Sequence, residues 1–380
     1  MRYFFFLTFL ITASLSSQTK YELIDSKWLG NRELKIQLPR TYDETTEQVY
    51  PLFLILDGDY LFETVAGNLD YMAYWSYAPD AIIVGVNQKG SRSKDLYISD
   101  EDYFPLQSGA QFYDFLDKEL MPHILKNYKV GSFRAIVGHG ESANFINFFS
   151  FNKKPLFQAY IAMSPTLSPQ MSTYLSERMT SAKDPIFYYL STANADYKEN
   201  RESIRSLNTK LEVIESEQLF YAFNDFESQS HHSLVATSIP KAIQHIFEIY
   251  APISTSEYKE SILPLGPSDV VDYLKKKYAT IEDIFGVEKQ ILLSDFRAIS
   301  SAINQKESFK EFKDMAELAR KHYPESLLAN LYLGWYYEGA GSIRKAIKIY
   351  QEAFVFDEID GIRKEDLLYR AEQLKAESED

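Results

Sequence analysis

The order of apolar and polar positions divides the chain into two patterns of different period. Between about residues 33 and 250, short apolar runs alternate with longer stretches whose apolar residues recur at helical spacing; beyond about residue 267 only the helical spacing remains. Glu33, Leu34, Lys35, Ile36, Gln37 and Leu38 alternate as a half-buried strand does. Residues 51–56, 81–86, 159–163, 186–190 and 219–223 are apolar without interruption, which predicts strands covered on both faces. Phe112, Phe115, Leu116, Leu120, Ile124 and Leu125 fall on one side of a helix over 112–128, and a further helix is expected from about 239 to 250. This alternation predicts an α/β fold, a mainly parallel sheet with helices on both faces. Chemistry in such sheets gathers beyond the carboxyl ends of the strands. Asp57, Gly140, Asp196 and His231 all fall at such ends.

The segment 133–149 organises the rest. Phe133, Arg134, Ala135, Ile136 and Val137 form a β-like run that stops at Gly138, and a helix-like run starts near Glu141. The glycine-rich turn between them has the layout of a nucleophile elbow, which lifts one side chain above the sheet. In a G-x-S-x-G spacing counted from Gly138 the lifted position is 140, and it is glycine. Glycine has no oxygen with which to attack a carbonyl. Gly140, Glu141, Ser142, Ala143 and Asn144 form a G-x-S-x-N string of their own, so Ser142 is the alternative nucleophile. That would need the strand to run two residues further. Otherwise Ser142 belongs to the first helical turn, where a hydroxyl caps N–H groups. Glu141 suits a helix N-terminus on dipole grounds alone.

A serine route would also need a histidine base and an acid, following the nucleophile in the order acid, then histidine. His231 stands after the last strand-like run, with His232 as its rival. Asp196 follows the penultimate run, and Asp225 and Glu227 are the other acids in range. The remaining histidines show no H-E-x-x-H spacing, so neither a metal nor another cofactor is expected.

Residues 38–250 resemble the esterase branch of the α/β-hydrolase superfamily, which includes enterochelin esterases, S-formylglutathione hydrolases and feruloyl esterases. The resemblance rests on Leu38-Pro39 with Tyr42, Tyr50-Pro51, Leu56-Asp57-Gly58, Val84-Gly85-Val86-Asn87, Arg92, Asp95-Leu96, Phe115-Leu116, Glu119-Leu120, Pro122 and Tyr128. It continues through 134–139, Ser164-Pro165, and His231 with Ser233. It implies an α/β-hydrolase fold, His231 as the family's histidine, and an oxyanion site built from the Asp57-Gly58 loop and the N–H of Glu141. An ester-like small molecule is the implied ligand.

Composition narrows the partners. A formal charge of −14 argues against nucleic acid or an anionic membrane surface. With no cysteine, disulfides, thiol catalysis and thiolate metal sites are excluded. Arg2, an apolar run over 3–11 and the small residues Ala13, Ser14, Ser16 and Ser17 read as an export signal over 1–17, too short to span a bilayer. Export without cysteine fits a bacterial periplasm or exterior. Residues 18–250 are then the hydrolase-like domain, 251–266 a linker with Pro252 and Pro264, and 267–380 a helical domain.

Within that domain, residues 327–360 resemble a tetratricopeptide repeat. Leu333, Gly334, Tyr337, Ala346, Tyr350 and Ala353 fall at its helix-packing positions, and Ala319 and Pro324 mark a degenerate repeat before it. Such repeats imply a surface for a protein partner. Two functional readings follow. In one, the chain has lost its nucleophile and binds a ligand or partner; in the other, it hydrolyses carboxyl esters with Ser142, His231 and Asp196.

Overall fold

The computed structural model describes residues 19–379, so the export signal read at 1–17 lies outside the described residues. One eight-stranded sheet runs through the molecule in the order β1-β2-β4-β3-β5-β6-β7-β8. The strands are β1 (Thr19–Ser26), β2 (Gly30–Gln37), β3 (Tyr50–Ile55), β4 (Ile82–Val86), β5 (Val130–His139), β6 (Ala159–Met163), β7 (Ile186–Ala195) and β8 (Leu219–Ser230). From β4 to β8 all neighbours are parallel, while β1 and β2 form an antiparallel hairpin that joins the sheet against β4. The expected α/β-hydrolase architecture is the one observed. β1 carried no strand signal, because none of its apolar residues is buried and it presents no apolar face to the core.

Side chains along each strand alternate between two cores, as the pleat requires. On one face Phe53, Ile55, Phe133, Ala135 and Val137 pack under helices α1 (Gly58–Tyr74) and α6 (Leu234–Ile246). On the other, Leu52, Leu54, Ile136, Tyr160 and Tyr188 pack under α2 (Ser108–Asp114), α3 (Glu141–Phe145), α4 (Met171–Thr180) and α5 (Lys198–Leu211). α2 continues through a π-helical turn, Phe115–Leu120, into Met121–Asn127.

After short helical turns over residues 255–262, the longer helices are α7 (Val270–Phe285), α8 (Leu293–Gln305), α9 (Phe312–His322), α10 (Leu328–Gly339), α11 (Ile343–Glu352) and α12 (Lys364–Glu379). They do not stand apart from the sheet. Phe285 of α7 lies edge-on to Phe133 of β5, ring centroids 5.0 Å apart, and 5.1 Å from Phe247 just past α6. The first of these helices thus completes the cover of one sheet face. The segment 251–266, which the sequence suggests as a linker, is packed: Ile262 is fully buried, and Lys306 Nζ donates to the carbonyls of Leu263 and Leu265 at 2.6 and 2.9 Å. α9 to α12 pack each against the next. Where α10 meets α11, a Cβ on Gly334 would lie 1.9 Å from Tyr350 Cε1, so only glycine lets the helices approach this closely.

Candidate active site

Three neighbouring strands end in left-handed backbone at the same sheet edge: Asp57 after β3 (φ 53°), Gly140 after β5 (φ 64°) and Ser164 after β6 (φ 44°). Such strain concentrates at functional sites. Gly140 (ψ −120°) makes the sharp turn between β5 and α3, and its N–H donates to the Met163 carbonyl at 3.0 Å. A Cβ on Gly140 would point at His231, 3.6 Å from both Cε1 and Nε2 and 3.8 Å from Arg92 Nη2. These are ordinary contacts, so the turn has room for a side chain at 140, directed at His231.

His231 follows β8. Its Nδ1 lies 2.9 Å from Asp196 Oδ1 and 2.9 Å from Ser164 Oγ. Asp196, after β7, has a fully buried side chain. Burial pushes its pKa up, but hydrogen bonds from His231, Ser164 Oγ, Thr192 Oγ1 and the Tyr197 N–H outweigh it, and the net shift is down. The ionised carboxylate holds the imidazole proton on Nδ1 and leaves the Nε2 lone pair facing Gly140. Tyr197 covers the ring on one side at 4.4 Å.

His139, the last residue of β5, lies against His231 with centroids also 4.4 Å apart. Its Nε2 is 2.9 Å from the His231 carbonyl oxygen, so that nitrogen donates, and Nδ1 lies 3.1 Å from the Tyr60 hydroxyl, which is shared with Asp57 Oδ2 at 3.1 Å. Burial, with the neighbouring His231, pushes the His139 pKa down to about 4, so it is neutral at pH 7.

Ser142 is in the first turn of α3 and fully buried. Its Oγ donates to Asp57 Oδ2 at 2.6 Å and accepts the His139 N–H at 2.8 Å. The strand stops at His139, and with that register the hydroxyl is engaged inside the fold instead of facing His231. Asp57 is equally occupied. Its carboxylate accepts from Arg92 Nε at 2.7 Å and Nη2 at 3.1 Å, and its N–H donates to Gln88 Oε1 at 2.8 Å. Arg92 also pairs with Glu141, and the Asp57 contacts hold its pKa up against burial. Of the expected oxyanion set, Gly58 and Glu141 are each the first residue of a helix, a position whose N–H has no intrahelical acceptor.

The structure thus brings Gly140, His231 and Asp196 together. His232 meets the His231 ring edge-on at 5.0 Å, Asp225 pairs with Arg201 and Arg205, and Glu227 is exposed. Sequence reasoning gave no role to Tyr60, His139 or Ser164. Their common signal is position: each lies at, or just past, the carboxyl end of a strand. The aromatic stretch 60–77 is mostly helix α1, and Tyr60 near its start reaches His139.

A mainly parallel sheet, a strand–turn–helix elbow and a histidine–carboxylate pair in this chain order define an α/β-hydrolase. The sequence profile described as "Putative esterase" matches residues 27–218, and the chain belongs to that family. An uncharacterised protein from Capnocytophaga ochracea superposes with a TM-score of 0.84 at 27% identity, over 94% of this chain and 100% of that one. Coverage that complete takes in the C-terminal helices as well as the sheet. An IroE-like serine hydrolase from Shewanella oneidensis gives 0.60 at 20% identity, over 80% of this chain and 99% of its own. The BES protein from Bacillus cereus gives 0.54 at 23%, over 61% and 95%. No curated protein matches the chain.

Proposed function

We propose that this chain is an exported esterase-family protein that has lost hydrolysis with its nucleophile and serves as a binding module for an ester-like ligand or a protein partner. The observation that carries this reading is Gly140: it occupies the elbow, its Cβ direction meets His231 Nε2 at 3.6 Å, and it supplies no oxygen. In a triad enzyme, loss of the nucleophile removes on the order of 10⁶ in kcat, leaving what oxyanion stabilisation and binding provide. The tetratricopeptide-like pairing of α10 with α11 supports a role for the tail as partner surface.

Hydrolysis of p-nitrophenyl acetate tests the proposal. Wild type is expected at background, and Gly140→Ser to gain about 10²-fold or more, since the site has room for the side chain and His231 is oriented to take its proton. Ser142→Ala is expected to leave the rate unchanged and to cost about 2 kcal/mol in stability, because it removes the hydroxyl that accepts the buried His139 N–H and one donor to Asp57, whose carboxylate Arg92 still pairs. Enzyme-like turnover by wild type that disappears in Ser142→Ala would overturn the proposal.

A further inference from the structure

A second concave site lies away from the elbow. A cleft of about 1090 Å³ lies between the end of α1, the end of α6 and the first turns and helix of the C-terminal region, and its lining includes none of Gly140, His231 and Asp196. It reaches Phe187 and Phe220 at the starts of β7 and β8, so it lies at the opposite edge of the sheet from the elbow.

The two walls differ in chemistry. On one stand Tyr71, Trp75 and Tyr77, all more than half exposed. Tyr71 and Trp75 are four residues apart across the end of α1, which sets them about 6 Å apart on one side. Tyr74, outside the cleft, meets the Trp75 ring edge-on at 5.1 Å and holds its face in place. On the opposite wall the polar groups are fixed by one another. Glu257 accepts from Lys277 Nζ and from the Tyr273 hydroxyl, both at 2.9 Å, and Glu260 accepts from Ser256 Oγ at 2.9 Å. Each carboxylate keeps lone pairs for further donors.

Charge across the lining is close to balanced, with Glu248, Glu257 and Glu260 against Lys276 and Lys277. A strongly charged ligand finds no matching field there. A ligand with apolar ring faces to lie on Trp75 and Tyr71, and hydroxyls to bond with carboxylates and ammonium groups opposite, fits both walls. The volume suits a ligand of a few rings.

We propose that this cleft binds a neutral oligosaccharide, its sugar rings stacked on Tyr71 and Trp75 and its hydroxyls bonded to Glu257, Glu260 and Lys276. The inference is independent of whether Gly140 has ended hydrolysis. Trp75, Glu257 and Glu260 are held by internal contacts before the ligand arrives, which lowers the entropy lost on binding.

Isothermal titration of the full chain with cellotetraose, xylotetraose and chitotetraose tests it, beside hexalysine as a charged peptide probe. At least one tetrasaccharide is expected to bind. Trp75→Ala should weaken that binding by about tenfold, while Tyr21→Ser, which removes an exposed aromatic on β1, leaves it unchanged. Trp75 is a surface side chain, so its loss leaves the fold intact, and circular dichroism verifies this. Silence from all three sugars, binding that survives Trp75→Ala undiminished, or binding of hexalysine alone would each overturn the proposal, the last in favour of a basic peptide.

Discussion

At the scale of single residues the site is a study in where protons sit. His139 is buried and its pKa is down at about 4, against an ordinary 6.5. The unfolded chain therefore binds a proton between pH 6.5 and 4 that the folded chain does not. Stability contributed by neutral His139 is complete above pH 6.5 and falls as the pH drops toward 4. The loss from this group reaches about 3 kcal/mol at the acid end. Urea denaturation across pH 4–7 should show that slope, and His139→Gln, which still offers a donor and an acceptor, should flatten it. An unchanged slope in the variant would place the acid sensitivity elsewhere. Residue chemistry also explains what was legible here. Glycine at 140 is visible in the sequence because the elbow's spacing counts to it. The roles of Tyr60 and Ser164 were not, because a hydroxyl becomes a hydrogen-bond partner of His139 or Asp196 only when separate strands end side by side.

At the scale of elements, register decides between the two possible nucleophile positions. β5 pairs with β6 through His139↔Met163, and the turn begins at the next residue. Two more residues of strand would have lifted Ser142 instead. Periodicity in the sequence marked the strand but could not fix its last residue, since Gly138, His139 and Gly140 carry no strong preference. The helical region shows the opposite case. Small residues at 334, 346 and 353 announce close helix contacts, and Gly334, Ala346 and Ala353 are buried as that requires. Gly334→Ala is expected to destabilise the chain by about 1–3 kcal/mol, because the new methyl would overlap the buried Tyr350 ring. Thermal unfolding measures it, and the double variant with Tyr350→Leu should recover part of the loss. A neutral Gly334→Ala would mean the helices can part without cost.

At the scale of the whole molecule, the sheet and the first C-terminal helices share one core. Phe133, Phe247 and Phe285 meet across what the sequence divides into two domains. Phe285→Ala should cost about 3–5 kcal/mol. A chain ending at residue 250 should expose the face that α7 covers and aggregate instead of folding. A soluble, cooperatively unfolding fragment of residues 19–250 would show that the sheet does not need that cover. The same packing creates the cleft opposite the elbow. Its two walls come from the end of α1 and from residues 254–280, which no local pattern could have placed together.

The amino-acid order alone determined the α/β alternation, the strand–turn–helix spacing and the glycine at 140, because each follows from local periodicity or from the residue itself. Which acid partners His231 stayed open among Asp196, Asp225 and Glu227 until the fold brought Asp196 to it. Only the tertiary structure decided that Ser142 is engaged with Asp57, that His139 braces the His231 segment, and that the supposed linker is packed. Those outcomes depend on which strand ends become neighbours and on how far each strand runs. Both are set by side-chain packing summed over the whole sheet, which no short stretch of sequence contains.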